Sequence, residues 1–138
     1  MKNVLVLCTG NSCRSQMAHG YLQHFASPGT AVYSAGVETH GLNPDAVATM
    51  AEDGIDISGH TSNHVDEYEG IDFQLIFTVC DHARERCPVF PSQSEKVHVN
   101  FPDPSKSGES GEAKVAEFRR VRNLIKEQCR NLAEEFSL

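Results

Sequence analysis

The chain has 138 residues, of which 39% are apolar and 22% are charged, a composition typical of one folded domain. No run approaches the roughly 20 apolar residues that a membrane-spanning helix needs. The net charge of −7 argues against a broad basic face for nucleic acid. We therefore expect a single domain over residues 1–138 that binds neither nucleic acid nor a membrane, and that must capture any anionic ligand with local groups.

The first residues lack the pattern of a secretory signal, so a cytoplasmic location is expected. In a reducing compartment the five cysteines are not expected to form a structural disulfide framework. Cytosolic cysteines with a role are usually nucleophiles, redox groups or metal ligands. The five are Cys8, Cys13, Cys80, Cys87 and Cys129.

The hydrophobic pattern alternates strands with helices along the chain. The apolar run Val4–Leu7 predicts a buried strand, and the apolar residues over 14–26 recur with a helical spacing. A short strand over 31–34 follows, and then a helix that begins at Asn43-Pro44. The remaining pattern predicts a strand, a short helix, a strand and a long helix, over 73–79, 81–86, 96–100 and 111–136.

This order predicts an α/β fold, a single domain with a four-stranded parallel sheet and helices on both faces. In such sheets ligands bind outside the carboxyl ends of the strands. Reactive residue types follow three of the predicted strands, in segments that begin at Cys8, Cys80 and Phe101. We therefore expect a functional site where these three segments meet.

The loop between Cys8 and Arg14 has the features of an anion-binding loop. Its backbone N–H groups and the following helix N-terminus favour negative charge, and Arg14 can add a bidentate contact to a tetrahedral oxyanion. Cys8 would lie below the anion with a lowered pKa, and Ser15 could hydrogen-bond its thiolate. The alternative is a buried strand-end cysteine without a chemical role. The predicted anion-binding residues are Thr9, Gly10, Asn11, Ser12, Cys13, Arg14 and Ser15, of which Cys13 is expected to fill space rather than react.

The segment Val4–Ala18 resembles the phosphate-binding loop of low-molecular-weight protein tyrosine phosphatases, and more closely that of the arsenate reductases that share their fold. The resemblance extends over essentially the whole chain, including Asp103-Pro104. It implies a low-molecular-weight phosphatase-like fold and a single catalytic domain in which Cys8, Arg14 and Asp103 are catalytic. The loop alone does not separate the two activities.

Two later cysteines favour arsenate reduction. Removing an oxygen from arsenate takes two electrons, which two thiols supply when they become a disulfide. The resemblance to thioredoxin-coupled arsenate reductases implies that Cys8 attacks arsenate, Cys80 attacks Cys8, Cys87 attacks Cys80, and thioredoxin reduces the final disulfide. Two alternatives stay open for Cys80 and Cys87: isolated buried thiols, or zinc ligands together with His82.

The segment after Asp103 also favours a reductase. Residues 105–111 are small and polar, whereas phosphatases of this fold usually carry tyrosines there to hold an aromatic substrate. Two alternatives remain. One is a low-molecular-weight protein tyrosine or phosphomonoester phosphatase that uses Cys8, Arg14 and Asp103. The other is an oxyanion or thiol-redox sensor without turnover.

A potassium site is not expected. Some relatives bind a monovalent cation at positions that correspond to Asn11, Ser34 and Thr61, with acidic residues where this chain has His19 and Asn63. A cation site needs oxygen ligands and negative charge, which histidine does not supply. We expect no metal or other cofactor, a monomer, and histidines at solvated or helix-capping positions.

Overall fold

The computed structural model describes residues 2–81 and 94–138, and within them the predicted alternation of strands and helices is confirmed. The strands are β1 (Lys2–Cys8), β2 (Thr30–Gly36), β3 (Leu75–Thr78) and β4 (Glu95–His98). The helices are α1 (Arg14–Phe25), α2 (Pro44–Glu52) and α3 (Gly111–Glu135), with short 3₁₀ helices at Val65–Tyr68 and Pro104–Lys106. The helix predicted over 81–86 lies outside the described residues apart from Asp81, and so does Cys87.

The four strands form one parallel sheet in the order β2-β1-β3-β4, as the sequence predicts. Cys8 at the end of β1 pairs with Gly36 at the end of β2. Hydrogen bonding continues past β3, because the Val79 N–H donates to the Leu7 carbonyl at 3.0 Å and the Phe101 N–H donates to the Val79 carbonyl at 3.1 Å. The chain segments that follow β1, β3 and β4 therefore lie side by side at the carboxyl ends of the strands.

Both faces of the sheet are covered. Ser34 of β2 hydrogen-bonds His19 of α1, whereas the neighbouring Tyr33 packs its ring against Tyr68 of the first 3₁₀ helix and against Phe73. The three α-helices contact one another, and the 3₁₀ helix covers the face on which Tyr33 lies. The run 4–7 in β1 is fully buried, as a strand covered on both faces requires.

Local signals set the helix boundaries as expected. The Asn43 side chain accepts hydrogen bonds from the N–H groups of Asp45 and Ala46, and Pro44 occupies the first turn of α2. Gly54 follows the helix with a φ of +78°, a conformation that glycine adopts at little cost. Among residues 2–81 and 94–138, no helix is long and apolar enough to cross a membrane.

Candidate active site

The loop that joins β1 to α1 is held in one conformation by a buried asparagine. Asn11 has a φ of +48°, in the left-handed region that asparagine tolerates better than most residues. Its amide donates to Ser15 Oγ at 3.0 Å, and its side-chain oxygen accepts from the Asn63 N–H at 2.8 Å. Arg14 begins α1 directly after this loop, so the loop and the helix N-terminus form a concave, anion-favouring surface beside Cys8.

A second segment, 36–40, runs along the loop and closes one side of it. The Glu38 N–H donates to the Thr9 carbonyl and the His40 N–H donates to the Gly10 carbonyl, each at 2.9 Å. A Cβ atom on Gly36 would lie 2.3 Å from the Glu38 carbonyl oxygen and 2.6 Å from the Thr9 carbonyl oxygen. Only glycine fits at position 36 without displacing the anion-binding loop.

A cavity of about 110 Å³ lies over Cys8. This volume is well below the roughly 300–1,000 Å³ of sites for drug-sized molecules, so the cavity suits a small ion. Arg14 is oriented within it, because one guanidinium nitrogen donates to the Phe101 carbonyl at 2.9 Å and another lies 3.6 Å from an Asp103 carboxylate oxygen. The lining residues are Cys8, Thr9, Gly10, Ser12, Cys13, Arg14, His40, Asp103, Ser105 and Lys106.

The structure brings most of the predicted site residues to this cavity. Cys80 lies next to Cys8 without lining the cavity, and Cys87 lies outside the described residues. Asn11 and Ser15 do not line the cavity either. Both are fully buried behind the loop and hydrogen-bond each other. Among the described residues Ser15 contacts Asn11, and the expected hydrogen bond between Ser15 and the Cys8 sulfur is not observed. Ser15 instead supports the conformation of the loop through Asn11.

Cys80 lies beside Cys8. Their sulfur atoms are 3.7 Å apart, and Thr9 Oγ1 is 3.2 Å from the Cys80 sulfur. Because an S–S bond is about 2.05 Å long, the two sulfurs need to approach by only about 1.7 Å to form a disulfide. The pairing of β1 with β3 produces this juxtaposition, since each cysteine stands at or just past the end of its strand.

The predicted lowering of the Cys8 pKa is wrong. The hydrogen bond with Cys80 and, after it, burial raise the pKa of Cys8 well above its usual value, and they outweigh the positive charge of Arg14 and the Thr9 N–H. The prediction counted the cation and the helix N-terminus but not the neighbouring thiol. With the Cys80 contact in place, the protonated form of Cys8 is therefore favoured.

Two other thiols are protonated near neutral pH. Burial, reinforced by Asp103, raises the pKa of Cys13 to about 12. Burial also raises the pKa of Cys129, whose thiol donates to the Ala18 carbonyl at 3.6 Å. Cys13 lines the cavity as a protonated thiol, and Cys129 does not line it.

Three residues that line the cavity are not predicted from the sequence: His40, Ser105 and Lys106. The ring of His40 packs directly against Gly10. A Cβ atom added to residue 10 would lie only 2.3 Å from the His40 Nδ1, so glycine is needed there for the ring to fit. Its Nε2 is 2.8 Å from a Glu38 carboxylate oxygen. The rule about strand carboxyl ends could have found His40, because β2 borders β1 and His40 follows β2.

The expectation that histidines are solvated or capping holds for the exposed His24 and His40 and for His64, which caps the first 3₁₀ helix. It is wrong for His19 and His60. His19 and His60 stack with ring centroids 4.2 Å apart. His19 hydrogen-bonds Ser34 at 2.8 Å, and His60 hydrogen-bonds Gln16 at 3.0 Å. Burial and then His60 lower the pKa of His19 to about 4, so this ring is neutral at pH 7.

With the geometry described, comparison with known proteins identifies the family. The family model described as low molecular weight phosphotyrosine protein phosphatase matches residues 3–137. The chain belongs to this family. It is 47% identical over 133 residues to an arsenate reductase of Halalkalibacterium halodurans and 44% identical over 133 residues to one of Bacillus subtilis, with 96% of each chain covered in both cases.

Solved structures show the same fold in both kinds of protein. An arsenate reductase in its oxidized state superposes with a TM-score of 0.84 at 32% identity, covering 98% of both chains. A protein tyrosine phosphatase superposes with a TM-score of 0.79 at 26% identity, covering 98% of this chain and 95% of the other. The predicted family and fold class are confirmed, and the choice between activities has to come from the site residues.

Proposed function

We propose that this protein reduces arsenate to arsenite with Cys8 as the nucleophile, and that thioredoxin restores its thiols in the cytoplasm. The observation that carries the proposal is the 3.7 Å separation of the Cys8 and Cys80 sulfurs beside a small, Arg14-lined cavity. Phosphate-ester hydrolysis has no use for a second thiol at this distance. Relatives named arsenate reductase at 44–47% identity support the choice of substrate.

Arsenate would bind as a bare oxyanion over Cys8. The guanidinium of Arg14 carries five N–H donors, and its contacts with the Phe101 carbonyl and Asp103 hold it in one orientation while other donors remain for the anion. The lining residues of the described part of the chain include no Phe, Tyr or Trp that could hold an aromatic ester. This favours an inorganic oxyanion over phosphotyrosine.

In the first step the Cys8 sulfur attacks arsenic. A sulfur–arsenic bond forms, one arsenic–oxygen bond breaks, and the departing oxygen leaves as water with the proton that Cys8 gives up. Arsenic stays pentavalent in this step. Asp103 lines the cavity 3.6 Å from Arg14, and we assign to it the transfer of this proton to the departing oxygen.

In the second step the Cys80 sulfur attacks the Cys8 sulfur. The sulfur–sulfur bond forms, the sulfur–arsenic bond breaks, and arsenic takes the electron pair and leaves as arsenite together with the proton that Cys80 gives up. Two thiols are thereby oxidised and arsenic is reduced by two electrons. Cys87 would then attack Cys80 and free Cys8, and a thioredoxin dithiol would reduce the Cys80–Cys87 disulfide. The role of Cys87 is proposed from the resemblance alone.

The Cys87→Ala variant tests the order of the three thiols. We expect it to release about one arsenite per enzyme and to stop with a Cys8–Cys80 disulfide, because no third thiol regenerates Cys8. Wild-type protein and a Cys129→Ser control should turn over many times with thioredoxin, thioredoxin reductase and NADPH. Arsenite is measured directly, and the disulfide is located by peptide mass spectrometry.

The same assay separates the alternatives. Multiple turnover by Cys87→Ala with thioredoxin would contradict the three-thiol order. Hydrolysis of p-nitrophenyl phosphate without any arsenite would favour the phosphatase, and phosphate or arsenate binding without either product would favour a sensor.

We also propose that no potassium ion supports the loop. The positions concerned already hydrogen-bond one another: Thr61 donates to the Asn63 side-chain oxygen at 2.7 Å, and His19 hydrogen-bonds Ser34. Because an ion that does not bind adds no stability, the melting temperature should differ by less than about 1 °C between potassium and sodium chloride at equal ionic strength. A rise that follows the potassium concentration alone would contradict this.

A further inference from the structure

A chain of hydrogen bonds lies next to Cys80 and takes no part in the steps above. Thr78 Oγ1 is 2.7 Å from the His98 Nδ1, and the His98 Nε2 is 2.7 Å from an Asp81 carboxylate oxygen. The backbone N–H of Asp81 also donates to the Asn100 side chain at 3.3 Å. Asp81, which follows Cys80, is thus hydrogen-bonded to the side chain of His98 in β4 and to the side chain of Asn100 just after β4.

We propose that His98 is a positioning residue for Cys80: by holding Asp81 against the end of β4, it keeps the Cys80 sulfur aimed at Cys8. The proposal rests on the proposed function, since it concerns the second step. In that step the Cys80 sulfur attacks the Cys8 sulfur, a sulfur–sulfur bond forms and the sulfur–arsenic bond breaks, and arsenite leaves with the electron pair and the proton of Cys80.

The position of Cys80 in the chain explains why it needs such a tie. β3 ends at Thr78, and the Val79 N–H continues the pairing with β1 for one more residue. Cys80 itself lies beyond the ladder, and Asp81 has a side chain that is 65% exposed. The Val79 carbonyl accepts from the Phe101 N–H, and beyond it two side chains, those of His98 and Asn100, hydrogen-bond Asp81, the residue next to the attacking sulfur.

His98 is well placed to act as a fixed point. Its side chain is only 20% exposed, and both ring nitrogens are hydrogen-bonded, Nδ1 with Thr78 of β3 and Nε2 with Asp81. Thr78 and His98 are also partners in the pairing of β3 with β4. Since the sulfurs need to move by only about 1.7 Å, an error of 1 Å in the aim of Cys80 matters, and errors of that size can cost up to about a hundredfold in rate.

Two substitutions separate the contact with Asp81 from the contact with Thr78. The amide of His98→Asn reaches the position of Nδ1 and keeps the Thr78 contact, whereas the amide of His98→Gln reaches the position of Nε2 and keeps the Asp81 contact. Both are made in the Cys87→Ala background, in which one turnover ends at the Cys8–Cys80 disulfide. The single-turnover rate of arsenite release is measured against arsenate concentration, and the disulfide is confirmed by mass spectrometry.

We expect His98→Asn to slow the maximal single-turnover rate by about fivefold, the size expected for a partly exposed pair, and His98→Gln to stay within about twofold. The arsenate concentration that gives half the maximal rate should stay within about twofold in both, because the cavity is not altered. Melting temperatures check folding.

Three results would overturn the proposal: an unchanged rate in His98→Asn, an equal loss in both variants, or a weakened apparent affinity for arsenate that accompanies the loss of rate. The parent Cys87→Ala protein shows whether the role of His98 or the proposed function itself is wrong. If that parent forms no Cys8–Cys80 disulfide with arsenate, the relay itself is wrong and the role of His98 falls with it.

Discussion

The Cys8→Ser variant is expected to lose arsenate reduction and any hydrolysis of p-nitrophenyl phosphate together, by at least about a thousandfold. Both reactions begin with attack by the atom at this position on the centre of a bound oxyanion. A serine hydroxyl is a far weaker nucleophile than a thiolate, and serine cannot form the disulfide that supplies the electrons. Arsenite release and p-nitrophenol release are measured on the same preparation.

Cys129→Ser is the matched control for this variant. It makes the same sulfur-to-oxygen change at a fully buried cysteine, on α3, whose thiol donates to a backbone carbonyl as a hydroxyl can. The control should keep both activities, and unchanged phosphate binding by Cys8→Ser would show that its anion site is intact. Reductase activity that survives in Cys8→Ser would remove Cys8 from the first step.

The sequence predicts the fold well because its signals are local. The order of the apolar runs and the cap at Asn43 are each set within a few residues, and the structure confirms both. The parallel sheet follows from the alternation of strands and helices, since each strand must be returned to the same edge by a crossover. The end of β4 is less well predicted because that strand is partly exposed and its apolar alternation is weak.

The anion-binding loop is also local, and the structure brings its cysteine and arginine to one cavity as expected. His40 and Lys106 come to the same cavity from two distant segments, and no spacing along the chain shows that they meet. For His40 the missing step was to apply the strand-end rule to β2. Lys106 has no comparable signal, because a lysine in a polar segment looks like a solvated one.

Local reasoning fails most clearly for the Cys8 pKa. From the loop alone, Arg14 and the helix N-terminus favour the thiolate. The groups that reverse the direction are Cys80, 72 positions away in the sequence, and the surrounding protein that excludes water from the thiol. A pKa depends on every charge and dipole within a few ångströms, so it requires the tertiary structure.

The Cys80→Ala variant tests this reversal, and its effect on arsenite release is as large as that of Cys8→Ser. We expect it to bind arsenate and to form the Cys8 adduct but to release no arsenite, because the thiol assigned to attack the Cys8 sulfur is missing. The pKa of Cys8 should fall in this variant, because the hydrogen bond with Cys80 is the largest of the causes that raise it. Removal of Arg14 should have the opposite effect and raise the pKa of Cys8, because the charge of Arg14 lowers it.

The measurement is the pH dependence of alkylation of Cys8 by iodoacetamide, followed on the Cys8 peptide by mass spectrometry. Only the thiolate reacts, so the pH at half-maximal rate reports the pKa of the Cys8 thiol, and it should move to lower pH in Cys80→Ala than in the wild type. Removal of a side chain also opens access to Cys8, which scales the rate at every pH, so the variants are compared by their midpoints rather than by their rates. A midpoint that is equal or higher would show that burial, rather than the neighbouring thiol, holds the proton on Cys8.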